Sequence, residues 1–251
     1  LLCFDRSFLY FDFRLCVRSV MDENTVFSYR FVFENGDVFE TTITLDEHLR
    51  LKNSPSVEKP DWARMENFRC PHCPLPEDTE YCPLAIALPE QFSLFNRFPS
   101  YQAVRVFVHT RARDYQKETD LQSGVSSLMG ILMVSSGCPL MGKLKPMLRF
   151  HLPFASLEET RVRALSIYLL AQYIKLRRSG EPDWDMSGLI KVYDDIRDLN
   201  MSVADKLRCL LKSDTGMNSL VILNNFANYI SFTLDEKLLD HIEEITAEFL
   251  Q

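Results

Sequence analysis

No run of apolar residues in this chain is long enough to span a membrane. The best candidate, ALSIYLLAQYI (residues 164–174), contains Ser166 and Gln172 and is flanked by Arg163 and Lys175. It reads as a buried core helix. A surplus of positive charge is also missing. The net charge of −7 argues against the basic footprint of nucleic-acid or anionic-membrane binding, so neither partner is expected. One dense basic group, Lys175, Arg177 and Arg178, precedes Gly180 at an expected helix end, where it complements the helix dipole.

Signature motifs are equally scarce. The chain has no Walker loop, no Gly-rich dinucleotide fingerprint and no His-Glu-x-x-His. GVSSLMG has Leu128 where a nucleophile elbow requires glycine. None of the five histidines follows a glutamate by three residues, which disfavours a di-iron carboxylate bundle. The first twenty residues lack an initiator Met, an uninterrupted apolar core and a small-residue cleavage site. We expect Met21 to be the natural start and residues 1–20 to be an upstream extension. With no secretory signal, seven cysteines suggest a reducing compartment, and the expected location is cytoplasmic.

What is present is ordinary globular composition, 46% hydrophobic and 25% charged, with ample material for a core. TVFSYRFVF alternates, placing Phe27, Tyr29, Phe31 and Phe33 on one face; Asn35-Gly36 supplies a turn and VFETTITL returns as its partner strand. AVRVFVHT (103–110) and YQKETDL (115–121) form a second expected pair. Beyond it the pattern turns helical. GVSSLMGILMVSS is apolar almost all round, and Ser156 with Glu159 forms a capping box opening a helix to about residue 178. MSGLIKVYDDIRDLN puts Leu189, Tyr193, Ile196 and Leu199 on one stripe. GMNSLVILNNFANYI and FTLDEKLLDHIEEITAEFL, the latter with a capping box of Thr233 and Glu236, complete the helical part.

The expected fold is therefore α+β: a small N-terminal antiparallel β-sheet with a Cys/Pro-rich insert, followed by a C-terminal helical bundle. Residues 21–121 form the β region, with the insert at 56–98. Residues 122–251 form a helical region packed on it as one composite unit.

The cysteines carry the chemistry. Four of the seven precede proline: Cys70, Cys73, Cys82 and Cys138; Cys3, Cys16 and Cys209 do not. Cys70-Pro71-His72-Cys73 matches the dithiol of a periplasmic disulfide oxidase. In thioredoxin-like proteins, however, that motif follows a strand and opens a long helix. Here EKPDWARMENFR precedes it, and Pro74 and Pro76 stop any regular helix. The tetrapeptide also resembles rubredoxin-like and zinc-ribbon knuckles. Those place glycine after the second cysteine for a positive φ that Pro74 cannot adopt, so the turn must differ.

In YCPLAIAL and SGCPLMGKL the cysteine reads as a helix N-cap with proline at the first helical position. Free N–H groups there favour thiolate. We expect Cys70, Cys73, Cys82 and Cys138 to converge on one tetrathiolate site for Zn²⁺, the alternative being an iron–sulfur cluster or reactive low-pKa thiols. Such a metal would clamp an insert with three prolines and few apolar anchors. His72, inside the cluster, and His151, ahead of a helix start, could replace a cysteine or orient one. The activity, and whether there is an enzyme at all, is unknown at this level.

RCPHCPLPEDTEYCPLAIAL, SSLMGILMVSSGCPLMGKLKPMLRFHLPFASLEET and YLLAQY together resemble a bacterial protein family of unknown function, with the similarity running from about Met21 to the C-terminus. The resemblance implies a soluble bacterial protein and brings no activity, substrate or catalytic residue with it.

Overall fold

The computed structural model of the chain describes residues 24–52, 59–88, 98–208, 218, 224, 227, 242–244 and 246–250. The N-terminal extension, Cys209, most of the last two expected helices and the Thr233–Glu236 capping box lie outside the described residues.

Two hairpins build one antiparallel sheet. β1 (Thr25–Phe33) pairs with β2 (Val38–Leu45), and β3 (Ala103–Thr110) pairs with β4 (Asp114–Asp120). The hairpins join through β1 and β3, giving the order β2-β1-β3-β4 with Phe31 opposite Val106 and Tyr29 opposite Val108. The first turn is a three-residue loop. The Phe33 N–H donates to the Asp37 carbonyl (2.9 Å), and Gly36 sits at φ 88°, where glycine incurs no steric penalty. One face of the sheet is the core, with Phe27, Tyr29, Phe31, Phe33, Val104, Val106 and Val108 all buried.

β4 runs directly into α1 (Leu121–Ser135), which starts where the Asp120 carboxylate accepts from the Ser123 N–H (2.8 Å). This helix is apolar all round and buried nearly all round. It lies so close to the sheet that a Cβ on Gly124 would sit 2.8 Å from Val106 Cγ2 and 3.0 Å from Phe31 Cε1. α2 (Pro139–Gly142), α3 (Lys145–Arg149), α4 (Leu157–Arg177) and α5 (Ser187–Arg208) follow. The Ser156–Glu159 capping box is present in both directions. α5 buries Leu189, Tyr193, Ile196 and Leu199 as its stripe requires, and continues it through Val203 and Leu207. The α+β architecture holds, and no helix among the described residues is long and apolar enough to cross a membrane.

Two expectations need correction. The segment 164–174 is not a buried core helix: Leu169, Leu170, Tyr173 and Ile174 are exposed. The buried edge of α4 is instead Arg161, Ala164 and Gln172. Polar bonds fix that orientation: the Gln172 side-chain oxygen accepts from the Asp183 N–H (2.9 Å), and the Tyr168 hydroxyl donates to Asp183 (2.5 Å). The cysteine-bearing insert is also better anchored than its prolines suggest. Ala63, Met65, Phe68, Leu84, Ala85 and Leu88 are all buried.

The tight crossing at Gly124 has a direct consequence. Gly124→Ala should destabilise the fold by about 1–3 kcal/mol through overpacking against Val106 and Phe31. Gly142→Ala, whose Cβ would meet nothing within 4 Å, should be neutral or gain up to about 1 kcal/mol of helix propensity. Urea denaturation of the two variants checks both signs.

Candidate metal centre

The insert reaches the cysteines through a short helical turn at Met65–Phe68, tied to the strand-like segment that follows the cysteine loop. The Met65 N–H donates to the Glu80 carbonyl (3.0 Å), the Cys82 N–H to the Ala63 carbonyl (2.9 Å), and Arg64 pairs with Glu80 (3.0 Å). Between these ties, Arg69 donates to the carbonyls of Leu75 (3.1 Å) and Pro76 (2.9 Å), holding the proline-rich loop against its own root.

Cys70-Pro71-His72-Cys73 forms a tight turn in which the Cys73 N–H donates to the Cys70 carbonyl (3.3 Å). The left-handed residue is His72, at φ 58°. Positive φ therefore falls between the two cysteines, and Pro74 after them needs none. Among the described residues, a short helical turn rather than a strand leads into the motif and no long helix opens at it, unlike the thioredoxin-like arrangement.

Cys82 is the N-cap of a short helix over Pro83–Ala87, and Cys138 is the N-cap of α2, each with proline in the first turn. The two starts are neighbours, because a Cβ on Gly137 would lie 3.8 Å from Pro83 Cβ. Gly137 itself is at φ 95°, so the turn that delivers Cys138 favours glycine. The Cys138 N–H donates to Ser136 Oγ (3.2 Å), fixing the turn out of α1.

These folds bring the four cysteines together as free thiols, Cys82 and Cys138 buried and Cys70 and Cys73 partly so. Each of the six sulfur pairs is close enough for one thiolate to oppose the ionisation of the other. Burial, together with its three cysteine neighbours, raises the Cys70 thiol to about 11. Burial also raises Cys82 and Cys138. The helix starts act in the opposite sense: the N–H groups of Leu84 and Ala85 lower Cys82, and those of Leu140 and Met141 lower Cys138. Neither closes a capping hydrogen bond, as befits a thiol, which is a weak acceptor until it ionises. The expected preference for thiolate is thus present as a local pull, but desolvation outweighs it.

A cation on α5, Lys206, acts on the cluster. Its ammonium donates to the Arg69 carbonyl (2.8 Å) and Ser202 Oγ (3.0 Å) and lies 5.1 Å from the Phe68 ring centroid. Burial lowers its pKa, while ionised Cys70, Cys82 and Cys73 would raise it. Sequence reading missed Lys206; its one signal is a lysine beside Leu207 on the buried side of an amphipathic helix. His72 is exposed, with Nε2 3.8 Å from the Asp198 carboxylate. His151 contacts Phe27 edge-on and hydrogen-bonds the Tyr29 hydroxyl (3.2 Å), and burial lowers its pKa to about 3.

Among the described residues, no three or more His, Cys, Asp or Glu side chains already stand in coordinating positions. Electrostatic coupling reaches further than a metal–ligand bond. The four thiols are therefore neighbours, not a closed tetrahedron.

Raised thiol pKa values make stability depend on pH with a definite sign. A group harder to ionise when folded contributes below its ordinary pKa and loses that contribution as pH rises through the folded value. Chelator-treated protein should therefore lose stability between about pH 9 and about pH 11. Cys70→Ser should flatten that loss in thermal melts.

Comparison with curated proteins and with solved structures gives no match. A family model described as a domain of unknown function does match, over residues 27–249, and the chain belongs to that family, DUF6901.

Proposed function

We propose that Cys70, Cys73, Cys82 and Cys138 bind one Zn²⁺ as thiolates, and that the metal fastens the insert to the helical layer. The observation that carries this reading is the mutual coupling of all four thiols, drawn from three separate stretches of chain. Tetrahedral coordination by four sulfurs is the usual structural zinc arrangement, with no position left open for substrate. Zinc supplies the positive charge that the buried thiols lack, so ionisation becomes favourable on binding. The N–H groups at Cys82 and Cys138 and the Lys206 ammonium then offset the negative charge of a four-thiolate centre.

Raised pKa values speak against the low-pKa thiol alternative, since a reactive cysteine works as thiolate near neutral pH. A four-thiolate zinc belongs in a reducing compartment such as the cytoplasm. The role is structural or regulatory.

Protein purified anaerobically should contain about one zinc per chain. Cys138→Ser should lose the metal and melt roughly 10 °C lower, corresponding to a few kcal/mol at this size. His72→Ala should keep it, because His72 faces Asp198. Iron with acid-labile sulfide would favour the cluster alternative. Four titratable thiols and no metal would refute both.

A further inference from the structure

A second feature is built from different residues. α1, α2, α3, the 150–155 turn, α4, α5 and the end of β4 line an open cavity of about 340 Å³, within the range of small-molecule pockets. Its walls are chiefly apolar, with Val134, Met141, Leu144, Met147 and Ile196 facing it. Ser126, Ser127, Thr160 and His151 add hydroxyl and ring-nitrogen groups to those walls, and two further features stand out, one cationic and one an amide. Arg163 lines the cavity and donates from one terminal nitrogen to the carbonyls of Met147 and Phe150. Lys117 is a second cation, and the described lining contains no Asp or Glu. The other is Asn200, only 2% exposed, whose side-chain oxygen is buried with no hydrogen-bond partner among the described residues. Native structures seldom leave such an acceptor unmet.

We propose that this cavity binds a small amphipathic organic acid carrying a hydroxyl or N–H donor remote from its carboxylate. The carboxylate meets Arg163, the apolar body lies against the methionine and leucine walls, and the donor meets Asn200 Oδ1. Spacing along α5 sets the length. Tyr193, an electrostatic neighbour of Arg163, precedes Asn200 by two turns, roughly 10 Å along the axis. At about 1.3 Å of advance per bond in an extended chain, an acid of about eight to ten carbons covers that span. Binding here is independent of the metal reading.

The probes are decanoate and ω-hydroxydecanoate, titrated calorimetrically into the full chain. The hydroxy acid should bind about fivefold tighter, the worth of one added hydrogen bond. Asn200→Leu should abolish that preference and raise the melting temperature without ligand, because the unmet acceptor is gone. Arg163→Met should weaken both acids by about tenfold or more. Arg163 also holds two carbonyls, so its fold is checked by circular dichroism, and the Asn200 variant stands as the independent arm. Millimolar acid giving no binding to the wild-type chain would overturn the proposal, as would a hydroxyl preference that survives Asn200→Leu.

Discussion

The burial of α1 against the aromatic face of the sheet is the constraint on which the other features depend. Phe27, Tyr29, Phe31 and Phe33 form a continuous apolar row only because β1 alternates. α1 meets that face at Gly124, beside Phe31 and Val106, and at Ser127, whose hydroxyl hydrogen-bonds the Tyr29 hydroxyl (2.9 Å), while its Val125, Leu128, Met129 and Leu132 are buried in the same core. At about 1.5–3 kcal/mol for each large side chain removed from water, this contact dominates any single polar interaction in the molecule. It also sets position. The helix must leave β4 at Asp120 and pass Phe31 at Gly124, and it ends at Ser135, whose carbonyl accepts from the Leu51 N–H (3.1 Å). The next residues, Ser136-Gly137-Cys138, are thereby delivered against Pro83 of the insert.

The cysteine cluster is a contest between burial and charge. Desolvation raises the pKa of Cys70, Cys82 and Cys138, four N–H groups at two helix starts and one ammonium act in the opposite sense, and burial prevails. A divalent cation reverses that balance more strongly than any protein group, since its own charge is the largest in the site. The insert already buries Phe68, Leu84 and Leu88. The proposed metal would therefore lock a loop that is already seated by hydrophobic contact, in contrast to zinc fingers, whose fold forms only with metal.

Local chemistry made much of this legible in the sequence. Both hairpins followed from period-two alternation and turn residues, and the Cys-Pro pairs announced two helix starts because proline suits the first helical position. What the sequence hid depends on long-range packing. The exposure of Leu170 and Ile174 could not be foreseen, since α4 is oriented by Gln172 and Tyr168 through Asp183. Pro74 showed that the turn must differ from the usual knuckle, but nothing local marked His72 as the residue that takes the positive φ. Asn200 did leave a trace, a polar residue set four after Ile196 on an apolar stripe. Its unmet oxygen becomes meaningful only once the cavity around it is visible.

The central claim is that four sulfurs meet at one metal, and X-ray absorption at the zinc edge of the purified protein tests it most directly. The account predicts a single shell of four sulfur neighbours at about 2.3 Å. A shell containing nitrogen or oxygen ligands, or an edge showing no stoichiometric zinc, would contradict it.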